Sequence, residues 1–85
     1  MKIENGEKLL FIGDSVTDGN RARPVGEGNN AALGNGFVRL IDAYLAAEYP
    51  ERNIHVVNMG VSGNTSRDLV ERWESDVTAQ NPDWV

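Results

Sequence analysis

Eighty-five residues, 40% hydrophobic and 25% charged, suffice for at most one soluble globular domain and fall below the usual size of a doubly wound α/β domain. Thirteen acidic residues against eight basic ones leave a formal charge of −5 with no basic cluster, which argues against nucleic acid and against an anionic membrane surface as partners. Cysteine is absent, so there is no disulfide framework and no thiolate ligand. Behind the leading Met1-Lys2-Ile3-Glu4-Asn5-Gly6-Glu7-Lys8 the apolar stretch covers only Leu9 to Ile12, too short for a signal-peptide core or a membrane span; a cytoplasmic protein is expected.

Lys8 to Ile12, closed by Gly13, reads as a strand buried on both faces. From Val16 to Asn35 the composition turns to Gly, Asn, Arg and Pro, including Gly26-Glu27-Gly28-Asn29-Asn30, and a long loop is expected. Phe37, Leu40, Ile41, Tyr44 and Leu45 then recur at helical spacing, predicting an amphipathic helix from Gly36 to about Tyr49 with these five on its buried stripe. Pro50 stops it. Asn53 to Met59 reads as the second strand, followed by a Gly60–Asn64 turn, after which Thr65 caps a helix with Asp68 three residues on. Leu69, Val70, Trp73 and Val77 mark the inner face of that helix. Asn81-Pro82 ends it and Trp84-Val85 opens a third strand, giving β-α-β-α-β.

Chemistry concentrates where the first two strands end. In Phe11-Ile12-Gly13-Asp14-Ser15-Val16-Thr17-Asp18-Gly19 a serine follows an apolar strand in a tight turn, the place where open α/β sheets bind ligands. A serine hydroxyl becomes a competent nucleophile when a base takes its proton and donors hold the oxyanion it creates. Gly13 permits the sharp turn, the Ser15 N–H can serve as one oxyanion donor, and Asp14 suits bonding to local N–H groups. Taken by itself, Gly-Asp-Ser is also ordinary turn composition. Ser62, in Gly60-Val61-Ser62-Gly63-Asn64, lacks the last glycine of a Gly-x-Ser-x-Gly elbow and reads as a turn residue. The lone histidine, His55, falls inside the second strand, several residues short of the turn, and reads as a strand residue. No dinucleotide fingerprint, P-loop or metal-ligand spacing occurs.

The segment Phe11 to Gly19 and the segment Asn58-Met59-Gly60-Val61-Ser62-Gly63-Asn64-Thr65 resemble, in order and separation, the first two blocks of the GDSL, or SGNH, serine esterases. The resemblance spans essentially the whole chain. It implies a flavodoxin-like α/β fold, a three-layer α/β/α sandwich with a parallel sheet, of which residues 1–85 are the N-terminal portion, cut at the start of the third strand. It further implies Ser15 as nucleophile and first oxyanion N–H, Gly63 as the second oxyanion N–H, and Gly13 and Asp14 as supports of the turn. The Arg21-Ala22-Arg23-Pro24 stretch, the glycine-rich run to Gly36, and Arg67-Asp68-Leu69 with Arg72-Trp73-Glu74 resemble bacterial acetylxylan esterases of this family. That implies deacetylation of xylo-oligosaccharides through an acyl-enzyme without a cofactor, with Arg21 and Arg23 as substrate-loop candidates; the alternative makes both arginines loop surface charges, and Trp73, by its place on the apolar stripe, reads as helix core. The expected partner is an acylated small molecule or oligosaccharide; a homo-oligomer is compatible with the sequence.

The family's third block, Gly-x-Asn-Asp with an oxyanion asparagine, and its closing Asp-x-x-His pair do not occur among these residues. The expectation is therefore an inactive isolated segment whose reading frame continues into both blocks. The alternative is a non-catalytic remnant or one piece of a split protein, pairing with a complementary segment through its unfinished sheet edge.

Overall fold

The structure, a computed structural model, describes residues 2–28 and 30–85. Met1 and Asn29, which the sequence reading puts in the leading segment and the long loop, lie outside the described residues. Two strands, β1 (Lys8–Phe11) and β2 (His55–Asn58), pair in parallel with Lys8 opposite His55 and Phe11 opposite Asn58. A parallel pair requires a crossover. Here it contains a short helix α1 (Ser15–Asp18), a 3-10 turn at Asn30–Leu33 and the helix α2 (Phe37–Glu48). After β2 come α3 (Ser66–Glu71), α4 (Trp73–Asp76) and a 3-10 turn at Thr78–Gln80. The chain then reaches the free edge of β1, where Leu10 N–H donates to the Trp84 carbonyl at 2.9 Å and Trp84 N–H to the Lys8 carbonyl at 3.1 Å in a parallel bridge. β1 is thereby central, flanked by β2 and by the Trp84 segment. With β2 on one side and the Trp84 bridge on the other, the carboxyl end of β1 is a topological switch point.

Alternation along the strands sorts the core into two layers. Leu10, Val57 and Met59 meet Val77 on one face, with Ile12 and Val25 packed against them. Val56, with Leu9 and Phe11, meets Leu33, Val38 and Leu45 on the other. Helical segments thus cover both faces of a parallel sheet, the three-layer α/β arrangement. Each fully buried Leu or Val here contributes about 1.5–3 kcal/mol.

Two helical expectations are corrected. Of the five-residue stripe assigned to α2, Leu40 is 71% exposed and Tyr44 is also exposed, whereas Val38 is fully buried. The residues facing the sheet are Val38, Ile41 and Leu45, spaced i, i+3 and i+7. The apolar arc of α2 is wider than the stripe the sheet can cover, so Leu40 and Tyr44 form its outer flank, while Phe37 at the margin meets the Phe11 ring of β1 edge-on at 5.7 Å. The second helix carries the expected capping box, with Asp68 N–H donating to Thr65 Oγ1 at 3.3 Å and Thr65 N–H to Asp68 Oδ2 at 2.8 Å. It does not run on unbroken: Arg72 takes φ −102, ψ 7 and divides α3 from α4. Val77 is buried as expected, but Val70 and Trp73 are exposed. The long loop is likewise less irregular than its composition suggests, since it contains α1 and the buried Leu33. Among the described residues no helix is long and apolar enough to cross a membrane.

Candidate active site

Just past β1 the backbone turns at Gly13, where a Cβ would sit 2.4 Å from Thr17 Oγ1, so a side chain there would have to push the buried Thr17 side chain aside. Asp14 caps α1, its Oδ1 accepting from Val16 N–H at 3.1 Å, the local role its residue type suggests. Ser15 is the first residue of α1 and is exposed. The helical turn closes with Asp18 N–H on the Asp14 carbonyl at 2.8 Å and Gly19 in the left-handed region. Beyond β2 the second turn carries Gly63 at φ +84, a conformation that favours glycine, with nothing within 4 Å of the point a Cβ would occupy.

Buried polar side chains that the sequence reading did not single out tie these two turns together. Asn58, 0% exposed, donates from Nδ2 to the carbonyls of Thr17 (2.7 Å), Asp18 (3.2 Å) and Leu33 (2.8 Å), while its Oδ1 accepts from Gly60 N–H at 2.9 Å. Close approach is built into this joint, since a Cβ on Gly60 would lie 2.5 Å from the Asp18 backbone nitrogen. Asp18 is 2% exposed. Its Oδ2 accepts from Arg23 Nη2 (2.6 Å), Ser62 N–H (3.0 Å) and Ser62 Oγ (3.1 Å), and its Oδ1 from Arg23 Nη1 (3.1 Å) and Arg21 N–H (3.2 Å). The Arg23 guanidinium, helped by the Ser62 and Arg21 donors and opposed by burial, holds the Asp18 carboxyl well below the usual carboxylate range. Arg72 forms a further tie: Nη1 donates to the Met59 carbonyl, Nη2 to that of Gly13 and Nε to Asn64 Oδ1, with Asp76 as its ion-pair partner at 2.7 Å.

The two arginine candidates differ sharply. Arg21 is 5% exposed, its Nε donating to the Gly60 carbonyl at 2.8 Å and its Nη1 to the carbonyls of Ala22 and Pro24 at 3.0 Å, and burial pushes its pKa down. It braces the second turn from inside rather than lining a loop surface. The Arg23 side chain remains 50% exposed while gripping Asp18, which raises its pKa. His55, exposed at the first position of β2, stands at the end of the strand away from the turn. The Ser62 hydroxyl donates to Asp18 Oδ2 at 3.1 Å and so belongs to the tie between the two turns. Ser15 and Ser62, together with Val16, Asn20 and Asn35, line one open cleft of about 350 Å³. Asn58 interrupts an apolar strand end, the signal by which it could have been found; Asp18 and Arg72 enter the sequence reading only as members of longer motifs, and nothing local marks either as a tie between the turns.

Fold and site together define a class: a doubly wound parallel α/β unit whose glycine-rich turns gather at the carboxyl ends of its strands, one presenting an exposed serine. Residues 11–85 match the profile of the GDSL-like lipase/acylhydrolase family, and the chain belongs to that family. It is 65% identical over 85 residues to an acetylxylan esterase of Geobacillus stearothermophilus, covering all of this chain and 39% of that relative. A crystal structure of a catalytic mutant of Axe2, S15A, an acetylxylan esterase from the same organism, superposes with a TM-score of 0.97 at 64% identity, over 100% of this chain and 39% of the other. LAE5, an alpha/beta hydrolase enzyme from the metagenome of Lake Arreo, Spain, gives a TM-score of 0.89 at 49% identity, over 94% of this chain and 37% of its own. The chain thus spans well under half the length of these relatives.

Proposed function

We propose that residues 1–85 are the N-terminal portion of a single SGNH hydrolase domain that removes acetyl groups from carbohydrates such as acetylated xylo-oligosaccharides. The observation that carries this reading is Ser15, exposed on the cleft directly after β1, with Ser62 of the second turn on the same cleft. The 65% identity to an acetylxylan esterase supports the substrate class, and the S15A catalytic mutant of Axe2 supports the choice of serine. Ser15 Oγ attacks the acetyl carbonyl as a base takes its proton, and the N–H groups of Ser15 and Gly63 receive the oxyanion. Collapse of the tetrahedral intermediate expels the sugar oxygen, which takes up the proton, and leaves Ser15 acetylated; water then releases acetate. Since His55 stands at the far end of β2, the base comes from outside these 85 residues, and residues 1–85 by themselves show no turnover.

In the complete protein Ser15→Ala lowers kcat on acetylated xylo-oligosaccharide by about 10⁴-fold or more. A fluorophosphonate probe labels Ser15 and neither Ser62 nor Ser66. An adduct on Ser62, or retained turnover in Ser15→Ala, overturns the assignment.

A further inference from the structure

Gly63 presents a positional problem. Its proposed N–H donor must be held at a defined place relative to Ser15, yet nothing lies within 4 Å of where its side chain would begin, so packing does not fix it. Its location is inherited from its neighbours. On one side, Arg72 Nε holds the Asn64 side chain at 2.6 Å. On the other, the backbone N–H and the hydroxyl of Ser62 both donate to Asp18 Oδ2. Among the described residues no other side chain bonds the Ser62 amide. Asp18 in turn belongs to the same helical turn as Ser15, three residues on, with its own N–H fastened to the Asp14 carbonyl.

We propose, resting on the ester-hydrolase reading above, that Asp18 is a positioning residue of the active site: its carboxylate carries the placement of the nucleophile turn across to Ser62 and so sets where the Gly63 N–H stands relative to Ser15. The residue type follows from the donor count. Five donors converge on two oxygens, and only an ionised carboxylate accepts at both oxygens while carrying no donor of its own. An asparagine would turn an NH₂ toward either Ser62 or Arg23, setting donor against donor. Asn58 and Arg21 also join the turns, but they grip Gly60, at the base of the second turn rather than beside its oxyanion donor. Arg23 orients the carboxylate from the solvent side, both its terminal nitrogens engaged.

The test uses the complete enzyme. Displacement of a reacting group by about 1 Å costs about 10²-fold in rate. Asp18→Asn therefore lowers kcat by about that factor, with KM within about threefold of wild type because the oxyanion forms only in the transition state. Affinity for phenylboronic acid, whose tetrahedral adduct on serine resembles that state, falls in parallel with kcat. Arg23→Gln removes a half-exposed guanidinium, leaves the carboxylate buried, and lowers kcat by about three- to tenfold at unchanged KM. A folded Asp18→Asn enzyme with near-normal kcat overturns the proposal, whatever its melting temperature. So does an Asp18→Asn chain that fails to fold alongside an Arg23→Gln enzyme of normal kcat, since Asp18 is then structural. Ser15→Ala run in parallel separates the two levels: retained activity there overturns the hydrolase reading itself, whereas lost activity there with an unimpaired Asp18→Asn overturns the positioning role alone.

Discussion

The two ends of the sheet solve the problem of burial differently, and two aspartates show how. At the carboxyl end Asp18 is almost fully buried but receives five hydrogen bonds, and its pKa is driven down, first by Arg23. On α2, near the amino end of β2, Asp42 borders a depression of about 200 Å³ with Leu45, Tyr49, Pro50 and Ile54. No donor among the described residues is bonded to it, and burial pushes its pKa up. The more buried carboxylate is the more acidic one. Burial penalises a charge; donors arranged around it decide whether the penalty is overcome. Around Asp18 directional bonds therefore fix the carboxylate in place, whereas Asp42 borders largely apolar side chains.

This contrast can be tested first where it bears on function. Gly63→Val in the complete enzyme forces a β-branched residue into φ +84, where the Cβ itself meets open space, and displaces the proposed oxyanion N–H through the backbone. The expected loss is about 10² to 10³ in kcat with KM little changed, measured on acetylated xylo-oligosaccharide with folding checked by circular dichroism. A folded variant with near-normal kcat would leave Gly63 a turn residue only. Next in size, Asn58→Leu keeps the branching of the side chain but strips partners from the Thr17 and Leu33 carbonyls and from Gly60 N–H. A loss of roughly 3 kcal/mol or more in urea denaturation is expected, each orphaned group costing about 1–3 kcal/mol.

Acid separates the two aspartates by sign. Asp18 has a folded pKa below its ordinary 3.8, so the stability it contributes is fully present above that value and is lost as pH falls below it toward the folded pKa. The slope for one such proton is at most about 1.4 kcal/mol per pH unit, and denaturation curves below pH 4 should be flatter for Asp18→Asn than for wild type. Asp42 runs the other way: its raised folded pKa costs stability as pH rises through 3.8. Asp42→Asn should accordingly gain stability at pH 7, discounted for its partial exposure, and none at pH 3. A destabilised Asp42→Asn at neutral pH would mean a donor reaches Asp42 from elsewhere in the complete domain.

Much of the architecture was legible because it rests on local periodicity and turn chemistry. The parallel strands, the Thr65–Asp68 capping box, the stop at Pro50 and the burial of Val77 all follow from residue spacing. The strand-end positions of Ser15 and Gly63 were legible as well, since glycine-rich turns after apolar runs are a local signal. The rotation of α2 was not: Leu40 is as apolar as Val38 and Ile41, and only the position of the sheet selects between them. Arg21 and Arg23 look interchangeable in sequence, yet one is buried beneath the second turn and the other clasps Asp18 from solvent.

The sequence by itself determined that this chain is a β-α-β unit with a serine and a glycine at successive strand ends, because each of those features is encoded within a few adjacent residues. Tertiary structure alone decided how the two ends are held together. Asp18 and Ser62 are separated by 44 positions, Asn58 and Thr17 by 41, and Arg72 and Gly13 by 59. Hydrogen bonds at such separations leave no periodic trace in a sequence; they exist only once parallel pairing of β1 with β2 brings both turns to the same end of the sheet.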